Sequence, residues 1–142
     1  MTCKILLPVD GSDGSLRAAR HVADIAALAK AMEVHVVNVQ PLGDDWMVRR
    51  MIKADELARM EKDWAEMALA PALELLRGAG LTPVTHMRQG EVAQTIVGMA
   101  EEIGCQQIVM GTRGLNPIGE LLMGSVTSKV LHLTKTPLTL VK

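Results

Sequence analysis

The apolar positions of the chain fall into short continuous runs separated by longer amphipathic stretches. Residues 5–9 form an apolar run closed by turn residues, which predicts a buried strand. In residues 16–31 the apolar positions recur every three or four residues, which predicts a helix with Ser12 or Asp13 as its N-cap. A second apolar run, residues 34–39, predicts the next strand.

The middle of the chain carries a long helical pattern. Its apolar positions recur at intervals of three or four: Leu57, Met60, Trp64, Met67, Pro71 and Leu75. Trp64 and its methionine neighbours are expected to belong to the core. Pro71 lacks a backbone donor, so we expect it to kink or split this helix near Ala70. Gly78 and Gly80 are expected to end the helix. Residues 40–53, which precede the regular pattern, are expected to form a mobile loop.

The second half of the chain continues the alternation of strands and helices. Strands are predicted at residues 82–88 and 107–110, helices at Val92–Ile103 and residues 126–133, and a last strand at Leu138–Val141. Five strands therefore alternate with four helices. This alternation predicts an α/β fold with a parallel, doubly wound open sheet and helices on both faces.

Composition narrows the possible classes of protein. The length of 142 residues, 49% of them hydrophobic, suits a single domain over residues 1–142. The net charge of −1 and the absence of a basic stripe predict no nucleic-acid partner, and the apolar runs are too short to span a membrane. Two cysteines without metal-type spacing and an N-terminus unlike a signal peptide predict the reducing cytoplasm. The scattered histidines predict no zinc site.

A glycine-rich loop follows the fourth predicted strand and leads into the predicted helix of residues 126–133. The loop reads Gly111-Thr112-Arg113-Gly114 and, after nine further residues, Gly124-Ser125. Free N–H groups and the dipole at a helix N-terminus favour an anion, and glycines let a ligand approach the backbone closely. The pattern therefore predicts a phosphate-binding loop and a nucleotide ligand.

Several of these residues also have simpler structural explanations. Asp10 either binds a ribose or a metal, or caps its own loop through its side chain. Ser125 is either a helix N-cap or a phosphate ligand, and Arg113 either pairs with phosphates or lies in solvent. Cys3 and Cys105 precede the first and fourth strands, and we expect buried or inert thiols.

Two motifs together resemble those of the universal stress protein family. Val9-Asp10-Gly11-Ser12 follows the first strand, and Gly111, Gly114, Gly124 and Ser125 complete a G-x2-G-x9-G-S pattern. The resemblance extends from residue 5 to residue 141. It implies a Rossmann-like fold of the adenine nucleotide alpha hydrolase type with strand order 3-2-1-4-5. It also implies ATP binding without efficient hydrolysis and a homodimer formed through Leu138–Val141. Gln106 stands where the family often has an acid, and we expect its role to be structural.

The resemblance also implies roles for individual residues. Asp10 would contact the ribose or hold Mg²⁺ together with ATP. Pro8, Val9 and Val39 would line the adenine site. The other residues of the expected ATP site would surround the ribose and phosphates or complete its wall: Ser12, Met110, Gly111, Thr112, Arg113, Gly114, Gly124, Ser125 and Val126.

Three functions remain open at this point: an ATP-binding regulatory protein of the stress response, a slow ATPase or phosphotransfer enzyme, and a nucleotide-free dimeric interaction module. The chain lacks the Walker pattern G-x4-G-K-[ST], and Lys129, four residues after Ser125, is a poor substitute. No residue near the loop is an evident base for activating water, so no catalytic residue is assigned. The intact glycine motif argues against the third function, so the regulatory protein is favoured.

Overall fold

The computed structural model describes residues 2–43, 46–113 and 123–142. Strands and helices alternate along most of the chain, as the hydrophobic pattern predicts. In chain order they are β1 (Cys3–Pro8), α1 (Asp13–Ala26), β2 (Met32–Gln40), α2 (Trp46–Met51), α3 (Ala54–Gly78), β3 (Val84–Gln89), α4 (Val92–Ile103), β4 (Gln107–Gly111), α5 (Ser125–Leu133) and β5 (Leu138–Val141).

The five strands form one sheet in the order β3-β2-β1-β4-β5, and all four neighbouring pairs are parallel. This confirms the predicted fold class and strand order. Pro8 at the end of β1 lies opposite Val37 of β2, so β2 extends further at the carboxyl edge. Since all strands point the same way, their carboxyl ends and the loops that follow them meet at one edge of the sheet.

Two separate hydrophobic clusters cover the two faces of the sheet. Successive residues of β1 point to opposite faces, so Ile5 and Leu7 pack with α1 and α3, whereas Leu6 packs with α4. All three side chains are fully buried. A strand buried on both faces needs a continuous apolar sequence, which is why the apolar runs located the strands.

The boundaries differ from the prediction in two helical regions. Helix α1 ends at Ala26, several residues early, because a 3.0 Å hydrogen bond from the Leu28 N–H to the Ile25 carbonyl tightens its last turn before β2. Residues 40–53 were expected to form a loop throughout, but they contain helix α2. None of the helices in the described ranges is long and apolar enough to cross a membrane.

The buried face of α3 is not the one that the sequence pattern predicted. Trp64 and Met67 are 52% and 73% exposed, so the expectation that they belong to the core is wrong. The buried face consists of Ala65, Leu69, Ala72, Leu73 and Leu76. Both sets of residues have helical spacing, and the alanines were overlooked because their side chains are small. Close packing against the sheet favours the set that contains alanine.

The expected break at Pro71 is also absent, since α3 continues through this residue. Proline removes one hydrogen bond from the helix, the one to the carbonyl of Met67. Pro71 and Met67 are both exposed, so the lost bond lies on the solvent side, where water can replace it. Buried residues on both sides of Pro71, such as Leu69 and Leu76, hold the helix against the core.

The orientation of α3 predicts contrasting effects for two neighbouring substitutions. Leu69→Ala should lower the free energy of unfolding by about 2–5 kcal/mol, because it leaves a cavity in a packed cluster. Met67→Ala should change it by less than about 0.5 kcal/mol, because this side chain is mostly in water. Urea denaturation of both variants measures the difference. Equal losses would contradict the orientation of the helix described here.

Candidate functional site

A cleft of about 340 Å³ lies at the carboxyl edge of the sheet, within the range of about 300–1,000 Å³ typical of small-molecule sites. The ends of β1, β2 and β4 form part of it, together with the first turns of α4 and α5. The residues that line it are Pro8, Val9, Asp10, Ser12, Ser15, Val39, Pro41, Val92, Ile96, Met110, Gly111, Arg113, Gly124, Ser125, Val126 and Thr127.

One wall of the cleft is apolar. Val39 comes from the end of β2, Val92 and Ile96 come from α4, and Val126 comes from α5. Val39, Val92 and Val126 are partly buried against the hydrophobic cluster on this face of the sheet. The wall is therefore supported from behind, and its surface suits a flat apolar group such as a nucleotide base.

The loop from β1 to α1 is ordered by its own side chains. Asp10 Oδ1 accepts a 2.9 Å hydrogen bond from the Ser12 N–H, and Ser12 Oγ accepts a 3.2 Å bond from the Ser15 N–H. Ser12 is the N-cap of α1, as predicted. Asp10 thus caps the loop, and it also lines the cleft as an exposed carboxylate. The structural explanation and the binding explanation for Asp10 are compatible with each other.

The first turn of α1 lies directly against the end of β4, with no side chain between the two backbones. A Cβ atom on Gly111 would lie 2.7 Å from the carbonyl carbon and oxygen of Gly14. A Cβ atom on Gly14 would lie 2.3 Å from the carbonyl oxygen of Arg113. Because real Cβ atoms do not approach backbone this closely, glycine is required at both positions. This contact joins two sides of the cleft.

The N-terminus of α5 faces the cleft without a capping side chain. The N-cap is Gly124, which makes no side-chain cap hydrogen bond, so the alternative that Ser125 is the N-cap is wrong. Thr127 Oγ1 donates a 3.0 Å hydrogen bond to the Gly111 carbonyl and fixes the first turn of α5 beside β4. The first N–H groups of a helix have no partners within it, and together with the helix dipole they favour an anion.

The cleft brings together the residues selected from the sequence, with two exceptions. Thr112 does not line it, because its N–H donates to Val141 and its carbonyl accepts from Gly124, at 3.0 and 2.7 Å. Gly114 lies outside the described residues. Sequence reasoning missed five lining residues: Ser15, Pro41, Val92, Ile96 and Thr127. Each lies in the first two turns of a helix or directly after a strand at the carboxyl edge, so their position in the predicted topology was the available signal.

Residues outside the cleft agree with the structural roles expected for them. β1 and β4 are neighbours, Cys3 and Cys105 are free thiols, and burial raises the pKa of the Cys105 thiol. Gln106 Oε1 accepts a 2.6 Å hydrogen bond from the Lys4 N–H, which confirms a structural role for Gln106. Within the described ranges, no group of three or more His, Cys, Asp or Glu side chains is arranged to hold a metal ion.

Comparisons with known proteins agree on one family. The profile of the universal stress protein family matches residues 1–142. A universal stress protein of Methanocaldococcus jannaschii is 32% identical over 146 aligned positions, which cover 98% of this chain and 81% of that protein.

Solved structures support the same relationship. The structure of the hypothetical protein MJ0577 has a TM-score of 0.85 and 30% identity, and the match covers 100% of this chain and 96% of that one. A universal stress protein in complex with cAMP has a TM-score of 0.72 and 26% identity, with coverage of 99% and 97%.

Because the backbone of Gly111 contacts that of Gly14, adding a single methyl group at position 111 should lower the stability of the fold. Gly111→Ala should cost about 1–3 kcal/mol of stability, because the added Cβ collides with the backbone of Gly14. Gly98→Ala is the matched control, since nothing lies within 4 Å of its Cβ position in the exposed face of α4. This control should be stabilised by about 0.5–1 kcal/mol. Thermal and urea denaturation test both values, and a Gly111→Ala variant as stable as the control would contradict the contact.

Proposed function

The chain belongs to the universal stress protein family, and we propose that it is a regulatory member that binds ATP with Mg²⁺ and acts as a homodimer. One observation carries the ATP proposal. The uncapped N-terminus of α5 and the apolar wall share one cleft with the carboxylate of Asp10. A nucleoside phosphate requires these three surfaces together: one for an anion, one for a flat ring and one for hydroxyls or a metal.

The comparison structures support an adenine nucleotide as the ligand class. A relative of 26% identity over nearly the whole chain was solved in complex with cAMP, which shares its adenine and ribose with ATP. In this chain the adenine would lie against Val39 and its neighbours in the apolar wall. The phosphates would lie at Ser125 and Val126, where the first N–H groups of α5 lack helical partners.

Two other residues predicted from the sequence, Asp10 and Arg113, would also contact the nucleotide. Asp10 would contact the ribose or hold Mg²⁺ through ATP, and Arg113 is the only cationic residue that lines the cleft in the described ranges. Bound Mg²⁺ would neutralise part of the phosphate charge, because the cleft itself offers little positive charge. Phosphoryl transfer needs more cationic charge at the reacting phosphate, so we propose that the site holds ATP rather than hydrolysing it efficiently.

The regulatory proposal follows from what a bound ligand can do. A ligand shifts a conformational equilibrium only by its different affinities for the two states. The cleft is made from separate segments, among them the β1–α1 loop and the first turns of α4 and α5, so ATP would favour the arrangement in which they converge. We place this activity in the cytoplasm, as the cysteine pattern suggests.

Calorimetry with two matched aspartate variants tests the ATP site. Asp10→Asn should weaken binding of Mg·ATP at least about tenfold, because it removes a charge from the cleft but keeps an oxygen that can accept from the Ser12 N–H. Asp13→Asn removes the same charge outside the cleft and should change the affinity less than about twofold.

Two outcomes would overturn parts of this proposal. No heat of binding for ATP, ADP or AMP at millimolar concentration would exclude the nucleotide site. Multiple turnovers of ATP above a magnesium blank, lost in Asp10→Asn, would favour the slow-ATPase alternative over the regulatory one.

The dimer proposal rests on the outer edge of β5. This strand pairs with β4 on one side only, and within the described ranges no strand pairs with its other side. An unpaired strand edge offers backbone hydrogen bonds to a second copy of the same strand. The four residues of β5 are all partly exposed, as expected for an element that completes its burial on association.

Truncation tests the role of β5 in association. A chain ending at Pro137 should sediment as a monomer, whereas a control chain lacking only Lys142 should remain a dimer. Circular dichroism of both chains reports whether the shorter one keeps its helices. A dimer that survives the removal of Leu138–Val141 would contradict this interface.

A further inference from the structure

A chain of three hydrogen-bonded side chains lies on the α4 face of the sheet, and none of them lines the cleft. Glu33 Oε1 is 2.6 Å from His35 Nε2, and His35 Nδ1 is 3.0 Å from His86 Nε2. The two ring centroids are 5.2 Å apart and the ring planes are 20° from parallel, so the rings lie side by side, as a hydrogen bond between their nitrogens requires. His35 is only 7% exposed. Sequence spacing could not reveal this array, because the two histidines are 51 residues apart and come from different strands.

The chain of hydrogen bonds through Glu33, His35 and His86 attaches the edge strand β3, which makes few other side-chain hydrogen bonds, to the sheet. Five of the six residues of β3 are exposed, and His86 is the one that is partly buried. On the opposite face of the sheet, the Gln89 side chain donates to the Glu61 carboxylate of α3. Apart from its backbone bonds to β2, β3 makes one side-chain hydrogen bond to another element on each face of the sheet among the described residues.

The contact between the two histidines exists only in certain protonation states. When His35 carries its proton on Nε2 and donates it to Glu33, His35 Nδ1 can accept from the His86 Nε2–H. If one proton is added to the pair of histidines, one of the two facing nitrogens still has a free lone pair, so the hydrogen bond between His35 and His86 survives. A second added proton makes both facing nitrogens donors. The two rings then repel each other, and the contact is lost.

The charged groups around His86 come from every element packed against it. His35 approaches from β2 and holds Glu33 on its other nitrogen, Arg88 lies on the same strand as His86, and Glu102 faces His86 from α4. Lys4 of β1 lies opposite Glu33 in the sheet register. Burial, the neighbouring His35 and Arg88 lower the pKa of His86 below its ordinary value of 6.5, and Glu102 opposes this effect. A lowered pKa means that His86 binds fewer protons in the folded state than in the unfolded state, where it is exposed. The stability that His86 contributes is therefore present above about pH 6.5 and is lost on acidification below it.

We propose that Glu33, His35 and His86 form a proton-operated latch, which holds β3 on β2 at neutral pH and releases it in mildly acidic solution. The latch acts on the cleft through the chain itself. β3 continues through Gly90, whose N–H donates to the Gln40 carbonyl at 3.0 Å, into α4, where Val92 and Ile96 form part of the apolar wall. Release of β3 therefore loosens the support of that wall, whatever ligand the cleft binds.

Hydrogen exchange at two pH values tests the latch in the intact chain. Between about pH 7.5 and about pH 5, the opening equilibrium of Val84–Gln89 should increase at least about threefold after correction for intrinsic exchange rates. Strand β4, Gln107–Gly111, contains no titratable side chain, so it is the internal control and should show no such increase. His86→Gln should abolish the pH dependence in β3. His132→Gln, which replaces an exposed histidine outside the latch, should retain it.

A second variant tests the direction of the effect. Glu33→Gln keeps an oxygen that can accept from His35 but removes the carboxylate that favours added protons, so the midpoint of β3 release should move to lower pH. If His86→Gln fails to fold, the Glu33→Gln midpoint decides the matter alone. Equal protection of β3 in the parent chain at both pH values would overturn the latch. So would persistent pH dependence in a folded His86→Gln variant, or an unchanged or higher midpoint in Glu33→Gln.

Discussion

The close backbone contact between the start of α1 and the end of β4 is the constraint on which the site depends. Gly14 and Gly111 allow two chain segments, far apart in sequence, to meet without side chains between them. The Gly111 carbonyl also accepts the hydrogen bond from Thr127 that positions α5. One glycine thus sets the position of both helix N-termini relative to the sheet. A larger residue would separate the Asp10 loop from the end of the cleft at the N-terminus of α5.

Much of the fold could be predicted because its sequence signals are local. A parallel strand buried on both faces must be apolar throughout, so short apolar runs marked the three central strands β1, β2 and β4. The bounds of α4 were correct at both ends, since Glu91 accepts a 2.7 Å hydrogen bond from the Gln94 N–H and Gly104 closes the helix at φ = +74°. The convergence of the site residues then followed from topology alone, because parallel strands end at the same edge.

The features that could not be predicted depend on contacts between distant segments. Two faces of α3 have helical spacing, and only packing against the sheet decides that Leu69 is buried and Trp64 is not. Thr112 stands inside the glycine motif, yet its backbone is used by neighbouring strands and loops rather than by the cleft wall. The pairing of His35 with His86 requires the register between β2 and β3, which no local pattern contains.

The two sides of the cleft are held by interactions of different kinds. The β1–β4 side rests on buried strands and on a glycine contact that contains no titratable group. The α4 side is covalently continuous with β3, the strand whose residues are most exposed. Local opening follows the regions with the least buried surface, so β3, which leads into α4, should open before the β1–β4 side does. Any condition that weakens the side-chain contacts of His86 or Gln89 therefore acts first on β3 and on its connection to the apolar wall, and it leaves the N-terminus of α5 in place.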